Sequence, residues 1–90
     1  MNIFVVVSLV PNSALQMRIH QSYPGNVLNL SDSATLIAAT GTAQDISTTI
    51  GLASGEFNSA VVIGMSTYHG RAPVDIWDWM KAKIEAPAHG

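Results

Sequence analysis

The sequence predicts an α+β domain, βαββαβ with an added C-terminal helix, and three observations predict it. Four β-branched or apolar runs, at 3–7, 27–30, 35–39 and 60–65, have strand length. Helix-opening signals follow the first, third and fourth of them. The second and third are separated by the polar turn around Ser31, Asp32 and Ser33, which reads as a hairpin. The chain has 90 residues, too short for two cores that each offset the entropy of ordering the backbone, so a single domain is expected over 1–86, with a tail at 87–90.

The first strand, Ile3 to Val7, is β-branched and aromatic and stops at Pro11. Asn12 or Ser13 caps a first helix whose apolar positions, Leu15 and Ile19, fall four apart on one face. That helix ends before Tyr23-Pro24-Gly25-Asn26, a cluster of turn residues. After the hairpin, Thr42 and Asp45 have capping-box spacing, Ala43, Ile46 and Ile50 form the apolar face of a second helix, and Gly51 stands where a left-handed C-terminal cap belongs. A polar connection at 53–58 leads to the fourth strand, and Pro73 suits the first turn of a third helix running to about Glu85. The order along the chain is that of the split βαβ, or ferredoxin-like, arrangement, with another strand order still open.

Both faces of the predicted sheet are apolar. Ile3, Val5 and Val7 oppose Phe4 and Val6 in the first strand, and Val61, Ile63 and Met65 oppose Val62 and Gly64 in the fourth. Two helices cover one face, so the other needs the third helix or a second subunit. In the third helix, Trp77 and Trp79 are about 200° apart around the axis, which predicts that only one of them enters the core. Ile76, Trp77, Met80 and Ile84 form the expected core stripe. Trp79, beside Asp75 and Lys83, is then either the anchor of a subunit interface or an aromatic lying half-buried on the domain's own surface.

Composition narrows the function classes. Charged residues make up 11% of the chain against 48% hydrophobic, so much of the surface is neutral. Four basic residues, Arg18, Arg71, Lys81 and Lys83, and a net charge of −2 exclude an extended duplex-binding face. The absence of cysteine excludes disulfides and thiolate chemistry and favours a cytoplasmic location. No stretch has transmembrane length, so no membrane partner is expected, and the apolar start lacks the basic flank of an export signal.

One loop carries chemical potential. Tyr68, His69, Gly70 and Arg71 precede a helix N-terminus, where unpaired N–H groups favour an anion and Arg71 adds a bidentate donor. The stretch reads either as a site for a small anionic ligand, a nucleotide or RNA phosphate, with phosphodiesterase chemistry as its extension, or as an ordinary strand-to-helix turn. Asp32 reads as a turn-maker rather than a catalytic carboxylate, Asp45 as a cap, and Asp75 and Asp78 as acids near a helix start. No metal-ligand spacing, P-loop, dinucleotide fingerprint or nucleophile elbow occurs, and no cofactor or catalytic residue is assigned.

The opening strand at 2–7, the hairpin at 28–37 and the helix start Thr42-Ala43-Gln44-Asp45 together give the chain a layout that resembles small bacterial ferredoxin-like proteins. Those proteins are related in fold to the small nuclease-like subunit of CRISPR adaptation and to VapD-type ribonuclease toxins. The resemblance covers about half the chain and implies a dimer. Those families often carry an Asp just after the first strand. Here the stretch is Ser8-Leu9-Val10-Pro11-Asn12, so the resemblance does not bring metal-assisted nuclease chemistry with it. The sequence therefore predicts a non-enzymatic cytoplasmic interaction or regulatory domain acting as a homodimer or docking a partner protein, with the phosphate-binding loop as the alternative.

Overall fold

The computed structural model describes residues 1–52, 59–66 and 74–85. The expected connection at 53–58, the Pro73 helix start and the tail at 87–90 lie outside them. The elements follow in the order β1 (Asn2–Ser8), α1 (Ser13–Ser22), β2 (Val27–Asn29), β3 (Ala34–Ala39), α2 (Ala43–Thr49), β4 (Ala60–Met65) and α3 (Val74–Glu85). The four strands form one antiparallel sheet in the order β2-β3-β1-β4, an α+β architecture with three helices.

The helix starts follow from local chemistry. Asn12, not Ser13, caps α1, its Oδ1 accepting from the Leu15 N–H at 3.0 Å. At α2 the capping box closes in both directions: the Asp45 N–H donates to Thr42 Oγ1, and the Thr42 N–H donates to Asp45 Oδ2 at 2.8 Å. Gly41 sits at φ +99° immediately before that box, and Gly51 ends α2 at φ +87°, both in the region that glycine enters without steric cost.

The strand alternation sends side chains into two cores. Phe4, Val6, Ile37 and Ala39 meet Leu15 and Ile19 of α1, Ile46 of α2 and Ile50, its C-cap, on one face. Ile3, Leu36 and Ala38 meet Met80 of α3 on the other. The apolar second face read from the sequence is therefore covered in part by the chain's own last helix.

The third helix departs from its expected stripe. Both tryptophans pack, half-buried, against the Met80 cluster, whereas Ile84 is 45% exposed. The reason is geometric. The contact line of α3 runs through Ile76, Met80 and Lys83, which puts Trp77 and Trp79 about 70–90° to either side of it. Rings of that size reach a flat sheet from both flanks of the helix, so an angular separation near 200° does not send one of them to solvent. The ammonium of Lys83 donates to Gly25 O at 3.0 Å and to Asn26 Oδ1 at 2.9 Å, fastening the end of α3 to the turn before β2.

Candidate functional site

The residues expected to form an anion site, Tyr68, His69, Gly70 and Arg71, lie outside the described residues. The expected interface set does not. Asp75 is exposed in the first turn of α3. Trp79 is half-buried against the chain's own sheet, and the Lys83 ammonium stands 5.9 Å from the centre of its ring, within cation–π reach. Trp79 and Lys83 thus hold α3 to the domain whatever else they do.

A polar chain that the sequence did not single out runs between α1 and the hairpin. Gln16 Nε2 donates to Ser31 O at 2.7 Å and to the Thr35 hydroxyl at 3.1 Å. Thr35, almost fully buried, donates onward to Asn29 Oδ1, and His20 Nε2 reaches the same oxygen at 3.2 Å, donating from its Nε2–H tautomer. Gln16, His20 and Asn29, with Ser13, Met17 and Gln21, line an open groove of about 410 Å³. Gln16 Nε2, Asn29 Oδ1 and His20 Nε2 are engaged within this chain of hydrogen bonds. No buried side-chain nitrogen or oxygen among the described residues lacks a partner, and no group of His, Asp and Glu there could hold a metal. The groove explains how α1 is fixed to β2 and β3. The signal available in the sequence was the spacing of Gln16 and His20, four apart on one helix face.

The uncovered surface lies elsewhere. The α3 cluster takes in Ile3, Leu36, Ala38 and Met65, the end of the sheet where β1 begins and β4 finishes. Along the same face, toward the other end of β1, Val7 pairs with Val61 and Val5 with Ile63. There the cover stops: Val61 is 50% and Ile63 49% exposed, and Leu9, continuing the alternation beyond Ser8, is 71% exposed. An apolar half-face therefore opens beside β4.

β4 is also an edge strand, and the phase of its hydrogen bonds can be read. The Leu9 N–H donates to Ser59 O at 3.2 Å, one step beyond the Ser8–Ala60 pair. By the alternation of an antiparallel ladder, Val61, Ile63 and Met65 then aim their backbone groups at β1. Ser8 fits the same phase, donating to Ser33 O on the β3 side at 2.8 Å. The N–H and C=O groups of Ala60, Val62 and Gly64 consequently point to the outer edge, where no described strand pairs with them. Usual edge protections are missing from residues 59–66: no charge, no proline, and a register with β1 that runs from Ile3 to Ser8 without a bulge. The opposite edge, β2, is three residues long.

No described helix is long and apolar enough to cross a membrane. No family model, no curated protein and no solved structure matches this chain.

Proposed function

We propose that this chain is a non-enzymatic interaction module that works as a homodimer, built on a ferredoxin-like layout. The antiparallel order β2-β3-β1-β4, with α1 and α2 on one face, supports that reading of the layout. The half-face of Val61, Ile63 and Leu9 left open beside α3 carries the functional reading. A 90-residue domain buries a modest fraction of its chain surface, and covering an apolar face with a second copy is a direct way to gain more. The low charge content of the chain keeps the cost of bringing two copies together small.

Sedimentation velocity across low to high micromolar concentration tests the proposal, with a dimer mass as the expected result. Ile63→Lys places an ammonium on the open face without disturbing a buried position and is expected to weaken association at least about tenfold while circular dichroism stays unchanged. A monomer at high micromolar concentration removes the reading.

A further inference from the structure

Resting on the homodimer reading, we infer that the two copies join through their β4 edges, antiparallel about Val62, making one continuous sheet. The outward N–H and C=O groups belong to Ala60, Val62 and Gly64, as the Leu9–Ser59 hydrogen bond and the β1–β4 register dictate. These residues are evenly spaced about Val62. When a second β4 approaches along a two-fold axis through that residue, Val62 faces its own copy, and Ala60 faces Gly64 of the partner in both directions. Every outward backbone group of the strand then finds a partner. A slide of the register by one hydrogen-bonded pair sets Ala60 or Gly64 of each copy against a residue beyond the strand, so this register pairs the most backbone groups within β4.

The side chains agree with the backbone. In this register Val61 of one copy lies opposite Ile63 of the other on the open face, so the residues that α3 leaves half-exposed become cross-strand neighbours. Residues 59–66 carry no charge, so self-pairing sets no like charges against each other. On the other face the strand's own side chains, Ala60 and Val62, carry no charge. A second copy suits this edge because its own residues 59–66 bring neither charge nor proline, and Val61 and Ile63 of each copy cover their counterparts in the other.

The chain contains no cysteine, which makes register a measurable quantity. Opposed residues in a non-hydrogen-bonded antiparallel pair have Cα atoms about 4.5 Å apart, whereas diagonal neighbours are about 7–8 Å apart, beyond comfortable disulfide reach. Mixing Val61→Cys chains with Ile63→Cys chains under mild oxidation should therefore give a mixed disulfide dimer in several-fold excess over either homodimer. In parallel, Val62→Pro deletes the central outward donor at a site where an edge strand tolerates proline, and should abolish the dimer or weaken it at least about tenfold. Circular dichroism of that variant reports its fold, and the cysteine pair reads register independently of it. A wild-type monomer at high micromolar concentration overturns self-association and this inference together. A wild-type dimer in which a folded Val62→Pro chain still associates, or in which Val61→Cys chains cross-link to one another as readily as to Ile63→Cys chains, overturns the edge pairing while leaving self-association standing.

Discussion

Replacing Met80 with alanine tests how the third helix is held. Met80 is 3% exposed and packs with Ile3, Leu36 and Ala38. The substitution removes three heavy atoms beyond Cβ, worth about 0.8 kcal/mol each on transfer from water, or about 2.4 kcal/mol. Part of the cavity cost is avoided, because Met65, Leu28 and both tryptophans border the cluster only half-buried and have room to settle. The expected loss is therefore about 2–3 kcal/mol, a large part of the roughly 5–15 kcal/mol that holds a small domain together. In a domain of this size it corresponds to a fall in Tm of about 10–20 °C. Urea unfolding at fixed protein concentration, followed by fluorescence, is a pointed assay because both tryptophans of the chain lie on α3. Ile84→Ala is the control: an exposed position on the same helix should lose less than about 0.5 kcal/mol. If Met80→Ala costs less than about 0.5 kcal/mol, or Ile84→Ala costs as much as Met80→Ala, the docking of α3 through the Ile76–Met80 line is wrong. Fluorescence and far-ultraviolet transitions that separate in the variant alone would mean that α3 releases before the sheet melts.

Further outcomes follow from local geometry. Gly41→Ala should destabilise the domain by more than about 1 kcal/mol in thermal unfolding, because φ is +99° and the new Cβ would meet Asp45 Oδ2 at 2.7 Å. Gly25→Ala should cost less than Gly41→Ala, since its φ of +78° is strained but nothing lies within 4 Å of the new methyl group. Lys83→Met keeps most of the aliphatic stem but removes the ammonium that reaches Gly25 O and Asn26 Oδ1, and should lower stability by about 1–2 kcal/mol, read from the urea midpoint.

The strands and the starts of α1 and α2 were legible because they are written in consecutive residues. β-branched runs marked β1 and β4, and the Thr42–Asp45 spacing marked a capping box that forms as drawn. The two apolar faces were legible for the same reason, since strand alternation is fixed by the backbone. The placement of α3 was not. Its periodicity defines a stripe on a cylinder, but which line of that cylinder lies on the sheet depends on the shape of the surface beneath. There the Ile76, Met80 and Lys83 line displaced Ile84 and drew in both tryptophans. The outward phase of β4 was illegible too, because which residues aim their amides at β1 depends on pairing with a strand more than fifty residues earlier. Likewise, the spacing of Gln16 and His20 puts them on one helix face but does not say that Thr35 and Asn29 of the hairpin are what they meet.

The central position of β1 has a consequence for how the domain assembles. It is the first strand made and the one on which both cores depend, yet its two neighbours become available at very different stages. The β2–β3 hairpin is local, and β3 reaches β1 across α1 and that hairpin. β4 must come back past α2 as well, a longer closure that slows the final pairing. Until it arrives, the β1 side facing β4 offers Ile3, Val5 and Val7 with open amides to any passing strand. The hazardous interval for this chain is thus the wait for β4, and refolding yield should fall with protein concentration more steeply than refolding rate does.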